Sequence, residues 1–194
     1  MWGAKLKAHS IKTDNANIDK KVSLRKQATS KLQTLRVLDC FAGRNVLWSH
    51  FEKERYFGIE KEKGKGRNLN ADNLRVLASL DLSSFNVIDV DSYGIPFNQL
   101  YEIFNNPTLQ DGTVIIYTCI TSKMSSMNKK CLERYGLSAM YKKCKVLINS
   151  KAKELFYAYL HENGVREIFK YSDRNSFQKD YGYFVYKKTA ITAD

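Results

Sequence analysis

Proline is scarce, two in 194 residues, and with 43% hydrophobic and 12% aromatic residues this puts the chain outside the disordered class despite 27% charge. No apolar run approaches the ~18 residues that a membrane span needs, and the opening MWGAKLKAHS lacks the apolar stretch of a secretion signal. We therefore expect a soluble, cytoplasmic protein that makes no membrane contact. The four cysteines, Cys40, Cys119, Cys131 and Cys144, form no C-x-x-C pair, and neither Cys40 nor Cys119 has a ligand-type neighbour at zinc-site spacing. The expectation is no metal site and buried, reduced thiols. Histidine is scarce as well: only His9, His50 and His161 occur, and no G-x-S-x-G elbow is present, which leaves Ser-His-Asp catalysis without support.

What the chain does have is core-forming material and positive charge. At 43% hydrophobic and 12% aromatic residues it can build a packed core, and its length suits one domain with an appendage. The net charge of +12 is segmental. Residues 1–36 carry nine basic and two acidic residues, and residues 121–151 carry eight and one, so each block holds +7. Residues 37–120 carry eight basic and eleven acidic residues. Two basic blocks around a mildly acidic middle suit a polyanion-binding surface built about a separate chemical core. On this basis residues 1–36 read as a basic N-terminal extension with a helix, and residues 37–194 as the main domain with a basic insertion at about 121–151.

Along the chain, residues 18–35 can form a helix, with Val22, Leu24, Leu32 and Leu35 as scattered apolar positions. Residues 36–43 read as a buried strand ending at a glycine turn, 45–54 as a helix, and 56–60 as a second buried strand ending on an acid. A basic loop over 61–70 and a short helix over 71–80 follow. Residues 85–90 form a third strand, 97–104 an amphipathic helix, and the β-branched run 112–120 a further strand. Residues 121–149 give no clear pattern. Ala152, Leu155, Phe156, Tyr159 and Leu160 mark one buried helix face. Residues 165–171 and 181–187 close the chain as two strands able to pair antiparallel. Alternating β and α units with a terminal β-β pair argue a mainly parallel sheet with helices on both faces.

In such a sheet a ligand sits outside the carboxyl ends of the strands, where the strand order reverses. Asp39-Cys40-Phe41-Ala42-Gly43-Arg44-Asn45 places an acid at a strand tip followed by small residues that let backbone approach a ligand. Glu60 lies 21 positions after Asp39, close to the ~20-residue spacing at which an acid meets ribose hydroxyls in nucleotide-type βαβ sites. With nearby acids and no basic phosphate cradle, this favours a nucleoside without phosphates.

These residues resemble a known family. Residues 37–45 resemble motif I of class I S-adenosylmethionine-dependent methyltransferases, in the D-x-F-A-G-x-G form. Asp89-Val90-Asp91-Ser92-Tyr93-Gly94 resembles motif IV, closest to the D-P-Y-G variant of tRNA guanine-N2 dimethyltransferases and related to the D-P-P-Y of amino-methylating enzymes. The resemblance implies a Rossmann-like α/β fold with a mainly parallel sheet, a C-terminal antiparallel strand and helices on both faces. It implies S-adenosylmethionine as cofactor, with Asp39, Phe41, Ala42, Gly43, Asn45, Glu60, Asp72 and Asp89 about it; Glu60 would take the ribose hydroxyls and Asp72 the adenine. Asp91 and Tyr93 would be catalytic, Asp91 or the carbonyl beside it orienting an exocyclic amine while Tyr93 stacks on its base. Two positions depart from the pattern. Asn45 replaces the last glycine of motif I and is expected to adopt a left-handed backbone. Ser92 replaces the proline of motif IV. The 26 residues between Glu60 and Val87 predict that the strand the family places between them is short or missing.

Because the strand over 112–120 neighbours that of Asp91 in the family, the following basic block should flank the site. Lys129, Lys130, Lys142 and Lys143 are the expected substrate-binding residues, with Lys123, Arg134 and Lys145 beside them and Tyr135 and Tyr141 available for stacking. The expected partner is nucleic acid, RNA (tRNA above all) favoured over DNA, and the expected activity is methyl transfer to a base amine. A small-molecule methyltransferase and a non-catalytic binding module of the same fold are the alternatives.

Overall fold

The computed structural model describes residues 17–63, 69–121, 127–173 and 178–188. In chain order the elements are α1 (Ile18–Thr29), β1 (Arg36–Asp39), β2 (Arg55–Glu60), β3 (Leu69–Asn70), α2 (Asn73–Ser79), β4 (Val87–Val90), α3 (Phe97–Phe104) and β5 (Val114–Thr121). They continue with α4 (Lys129–Arg134), α5 (Ser138–Lys143), α6 (Lys145–Ser150), α7 (Ala152–Glu162), β6 (Phe169–Asp173) and β7 (Gln178–Val185). The strands form one sheet in the order β3-β2-β1-β4-β5-β7-β6. Strands β1 to β5 run parallel, and β7 inserts antiparallel between β5 and β6. The chain builds outward from β1 through β2 to β3, then returns to build β4 and β5 on the other side. The strand order therefore reverses between β1 and β4, and the carboxyl ends of those two strands, at Asp39 and Asp89, meet in register.

Alternation along the strands sorts side chains onto two faces. Leu38, Ile59, Ile88, Val90, Ile115 and Phe184 join a core with Leu77 of α2, Leu100 and Ile103 of α3, and Phe156 and Leu160 of α7. On the opposite face Val37, Val87, Val114, Ile116 and Tyr181 pack with Leu24 and Ala28 of α1 and with Trp48. Burial of β1, β4 and β5 on both faces explains why these strands read as continuous apolar runs rather than alternating ones.

Three departures from the sequence reading bear on the site. Residues 45–54 are not an α-helix; they hold only a 3₁₀ turn at Trp48–His50. Asn45 has a left-handed backbone (φ 61°), which interrupts a right-handed helix at its start. The Lys53 ammonium then donates to the carbonyl oxygens of Trp48 and Phe51, groups that a longer helix would satisfy internally. Helix α1 ends at Thr29, short of the expected end at Leu35, and Leu32 and Leu35 reach the core from the connection to β1. Residues 129–150, which show no pattern in the sequence, are three short helices, α4 to α6. Strand β3, in the short span between Glu60 and Val87, is two residues long, as the spacing predicts.

Candidate cofactor and acceptor site

A cleft of about 250 Å³ opens at the carboxyl ends of β1 and β2, walled by Phe41, Ile59, Glu60, Asp72, Leu74 and Gln99, with Cys40, Lys61 and Asn73 completing it. Glu60 sits at the end of β2. One of its carboxylate oxygens accepts the Gly43 N–H at 3.0 Å and the other the Glu62 N–H at 2.9 Å. Each carboxylate oxygen can accept a second hydrogen bond, which is what a vicinal diol needs. Asp72 caps α2 by accepting the Leu74 N–H at 3.0 Å, and its other oxygen lies 3.5 Å from the Lys61 ammonium. Asn73 donates to the Cys40 carbonyl at 2.9 Å and Gln99 lies 3.3 Å from the Asn73 amide oxygen, so β1, α2 and α3 are tied together behind the cleft. Sequence reasoning misses Asn73 and Gln99; adjacency to Asp72 is the one signal for the former. Apolar walls, two acids and a lining lysine already paired with Asp72 fit an adenosine-type group.

Of the residues expected about a cofactor, Phe41, Glu60 and Asp72 line this cleft, and Gly43, with φ 51°, touches Glu60 through its N–H. Ala42 is buried and donates its N–H to the Ile59 carbonyl at 3.0 Å. Asn45, left-handed as expected, accepts the Tyr56 hydroxyl at 3.0 Å. Asp39 sits beneath the motif I loop rather than in the cleft. One of its oxygens accepts the Phe41 N–H at 3.1 Å and the other lies 2.9 Å from the Tyr56 hydroxyl. Burial, with the Asp89 charge adding to it, pushes the Asp39 carboxyl up to about 7.

Asp89 is also buried. Its Oδ2 accepts from Arg25 Nε at 2.8 Å and from the Trp48 indole at 2.7 Å, while its Oδ1 has no partner among the described residues. Burial lifts its carboxyl, and the Arg25 charge opposes that rise. Asp91, two residues on, takes the Lys21 ammonium at 2.7 and 3.0 Å and the Thr118 hydroxyl at 2.5 Å, with Arg25 at 3.8 Å. Burial alone would raise this carboxyl too, but Lys21 and Arg25 outweigh it and hold Asp91 below the usual carboxylate range. Three carboxyl groups thus meet two cations, and one buried oxygen is left over.

The motif IV turn is fixed differently from a proline turn. Ser92 is buried and its hydroxyl donates to the Thr118 carbonyl at 3.1 Å, while the Gly94 carbonyl, at a residue with φ 106°, accepts the Ile120 N–H at 2.8 Å. Two hydrogen bonds to β5 hold the turn in place of the proline ring. Tyr93, between them, is 76% exposed.

The basic block divides in two. Lys129 pairs with Glu133 at 3.6 Å, Lys130 with Glu102, and Arg134 with Glu162 at 3.0 Å. Lys142 and Lys143, on the exposed α5, have no ion-pair partner among the described residues; Lys123 lies outside them. Tyr135 and Tyr141 are half-buried, and the Tyr141 hydroxyl accepts the Met127 N–H at 3.1 Å. Among the described residues no three His, Cys, Asp or Glu side chains gather as a metal site, and no helix is long and apolar enough to cross a membrane.

No family model and no curated protein matches the chain. Solved structures do match its fold. The N-methyltransferase NodS of Bradyrhizobium japonicum superposes with a TM-score of 0.54 at 13% identity, and the match covers 88% of this chain and 98% of NodS. The yhhF protein of Escherichia coli, provisionally named a methyltransferase, gives 0.54 at 12% identity, covering 89% of this chain and 86% of that one. A protein of Haemophilus influenzae, provisionally named a methylase, gives 0.53 at 11% identity over 87% and 89% of the two chains. The chain has the Rossmann-like fold of class I methyltransferases.

Proposed function

We propose that the protein is an S-adenosylmethionine-dependent methyltransferase acting on an exocyclic amine of a nucleic-acid base, RNA before DNA. The observation that carries the reading is the cleft at the carboxyl ends of β1 and β2, next to the point of strand reversal, where Glu60 and Asp72 line the wall on the side suited to a ribose diol and an adenine. The cofactor, when bound, supplies an activated methyl on a sulfonium. Everything else is asked of the protein's own groups. Glu60 and Asp72 fix the nucleoside, and Phe41, Ile59 and Leu74 exclude water from it. Asp91 orients the acceptor nitrogen and exposed Tyr93 offers a ring on which its base stacks. The chemistry then rests on proximity and alignment.

Nucleic acid as the carrier of the amine is supported by the two +7 blocks and by Lys142 and Lys143, which meet no acid among the described residues. The small-molecule reading draws on one observation, that Lys129, Lys130 and Arg134 are already neutralised by acids of this chain. Transfer of a tritiated methyl group to total tRNA and to unmethylated DNA separates them. Incorporation into either polymer supports the nucleic-acid reading, and none into both removes it.

A further inference from the structure

Lys21 is placed unlike an ordinary surface lysine. Its ammonium lies 2.7 and 3.0 Å from the two oxygens of Asp91, and its side chain is 13% exposed. It also sits 5.7 Å from the centre of the Tyr181 ring, the range of a cation–π interaction. Thr118 donates to Asp91 Oδ1 and so helps to fix the carboxylate. A carboxylate presenting both oxygens, an aromatic face and near-exclusion of water are the elements by which a primary ammonium group is recognised.

We propose that Asp91, Thr118 and the Tyr181 ring form a subsite for a primary ammonium group, and that Lys21 fills it in cis. This rests on the reading that Asp91 faces the acceptor. It follows that an acceptor amine reaches Asp91 only once Lys21 has left, and that an alkylamine, which carries the same charge, displaces Lys21 more readily than a neutral base amine does.

The helix is built so that its first turn can open while the rest stays packed. Leu24, Arg25 and Ala28 anchor α1, all buried, and they lie C-terminal to Lys21. Lys21 stands in the first turn, its N–H bonded to the Asn17 carbonyl at 3.0 Å. Asn17 itself holds a left-handed backbone at φ 67°. The Arg25 guanidinium also donates from Nη1 to the Lys21 carbonyl at 3.0 Å, so opening this turn withdraws the ammonium at the cost of that one bond while Leu24 and Ala28 stay packed, since helix ends fray before their interiors.

The test uses n-butylammonium chloride as probe and sodium chloride as the ionic-strength control. In Lys21→Met, backbone amide resonances of Asp91, Thr118 and Tyr181 should shift saturably with n-butylammonium and not with sodium, and Lys21→Met/Asp91→Asn should show no such shift. In the wild type, which needs no altered side chain to fold, rising n-butylammonium should speed hydrogen exchange at the Lys21 amide several-fold while leaving Ala28 unchanged. Absence of the specific shifts in a folded Lys21→Met, or unchanged exchange at Lys21 in the wild type, overturns the proposal. Calorimetry with S-adenosylhomocysteine on the same proteins keeps the two readings apart. Probe binding without cofactor binding leaves the subsite standing and removes methyl transfer; cofactor binding without probe binding removes the subsite alone.

Discussion

Arg25 Nε donates to Asp89 Oδ2 at 2.8 Å, and the two side chains are 2% and 1% exposed. This bond joins the first helix to the end of β4 across 64 residues of sequence. A buried ion pair is weak evidence of net stabilisation, but removing one partner leaves an uncompensated charge. Arg25→Met is therefore expected to lower stability by about 3–5 kcal/mol in urea unfolding. A loss below about 1 kcal/mol, the scale of an exposed pair, would mean that Asp89 is protonated or hydrated once α1 lets go.

Asp39 gives a pH dependence of definite sign. Its carboxyl is held at about 7 in the folded state, above its unfolded value of roughly 4. Between these values the folded protein binds the extra proton, so this group's contribution to stability declines as pH rises from about 4 to about 7 and is constant above. Asp39→Asn keeps an acceptor for the Phe41 N–H and removes the ionisation. Unfolding free energies measured across that window should fall less steeply in the variant, and equal slopes would contradict the buried-carboxyl assignment. Asp91 acts in the opposite sense. Its depressed carboxyl contributes stability above the unfolded value that is lost as pH falls through the folded one.

The division of the basic block predicts unequal lysines. Lys142→Gln/Lys143→Gln should reduce the slope of log K against log salt for RNA binding by roughly 0.7–0.9 for each phosphate that is no longer neutralised. Lys129→Gln/Lys130→Gln should change it less, because both ammoniums already face carboxylates. Filter binding over a range of salt concentrations measures both, and equal effects would return the site to the whole block.

Local pattern reveals the scaffold better than the interactions across it. Strands β1, β2, β4 and β5 are legible because their runs are largely apolar, and α3 and α7 because each has one apolar stripe. The acid at the end of β2 is legible from spacing alone. The helix expected over 45–54 fails because Trp48 and Phe51 reach the core from a 3₁₀ turn, a spacing that also suits one helical turn. The role of α1 is hidden differently. Lys21, Leu24, Arg25 and Ala28 share one helical face, so its buried stripe contains two cations, which read as surface until their carboxylate partners 64 and 70 residues away are known. The motif alone suggests that Asp91 stands open to substrate, and no local signal shows that α1 covers it.

Removal of the Asp91 charge and of the Tyr93 ring should separate chemistry from cofactor binding. Asp91→Asn is expected to leave affinity for S-adenosylhomocysteine unchanged and to lower both kcat and kcat/KM for methyl transfer, on the order of 10²-fold, as a misaligned acceptor would. Tyr93→Ala should weaken substrate binding by roughly 1–3 kcal/mol if a base stacks there. Equal transfer by wild type and both variants would take Asp91 and Tyr93 out of the mechanism.

Titration calorimetry of S-adenosylhomocysteine into the folded wild type, alongside Glu60→Ala and Glu60→Gln, addresses the cleft itself. The wild type should bind with one-to-one stoichiometry. Glu60→Ala should weaken binding by about 1–3 kcal/mol, the scale of charge-assisted hydrogen bonds to hydroxyls, and Glu60→Gln, which keeps an acceptor for the Gly43 N–H, should weaken it less. Undetectable binding by the wild type at millimolar ligand, with the fold shown intact by its unfolding transition, would contradict the proposed cofactor and leave the chain with the fold of a methyltransferase and another use for it.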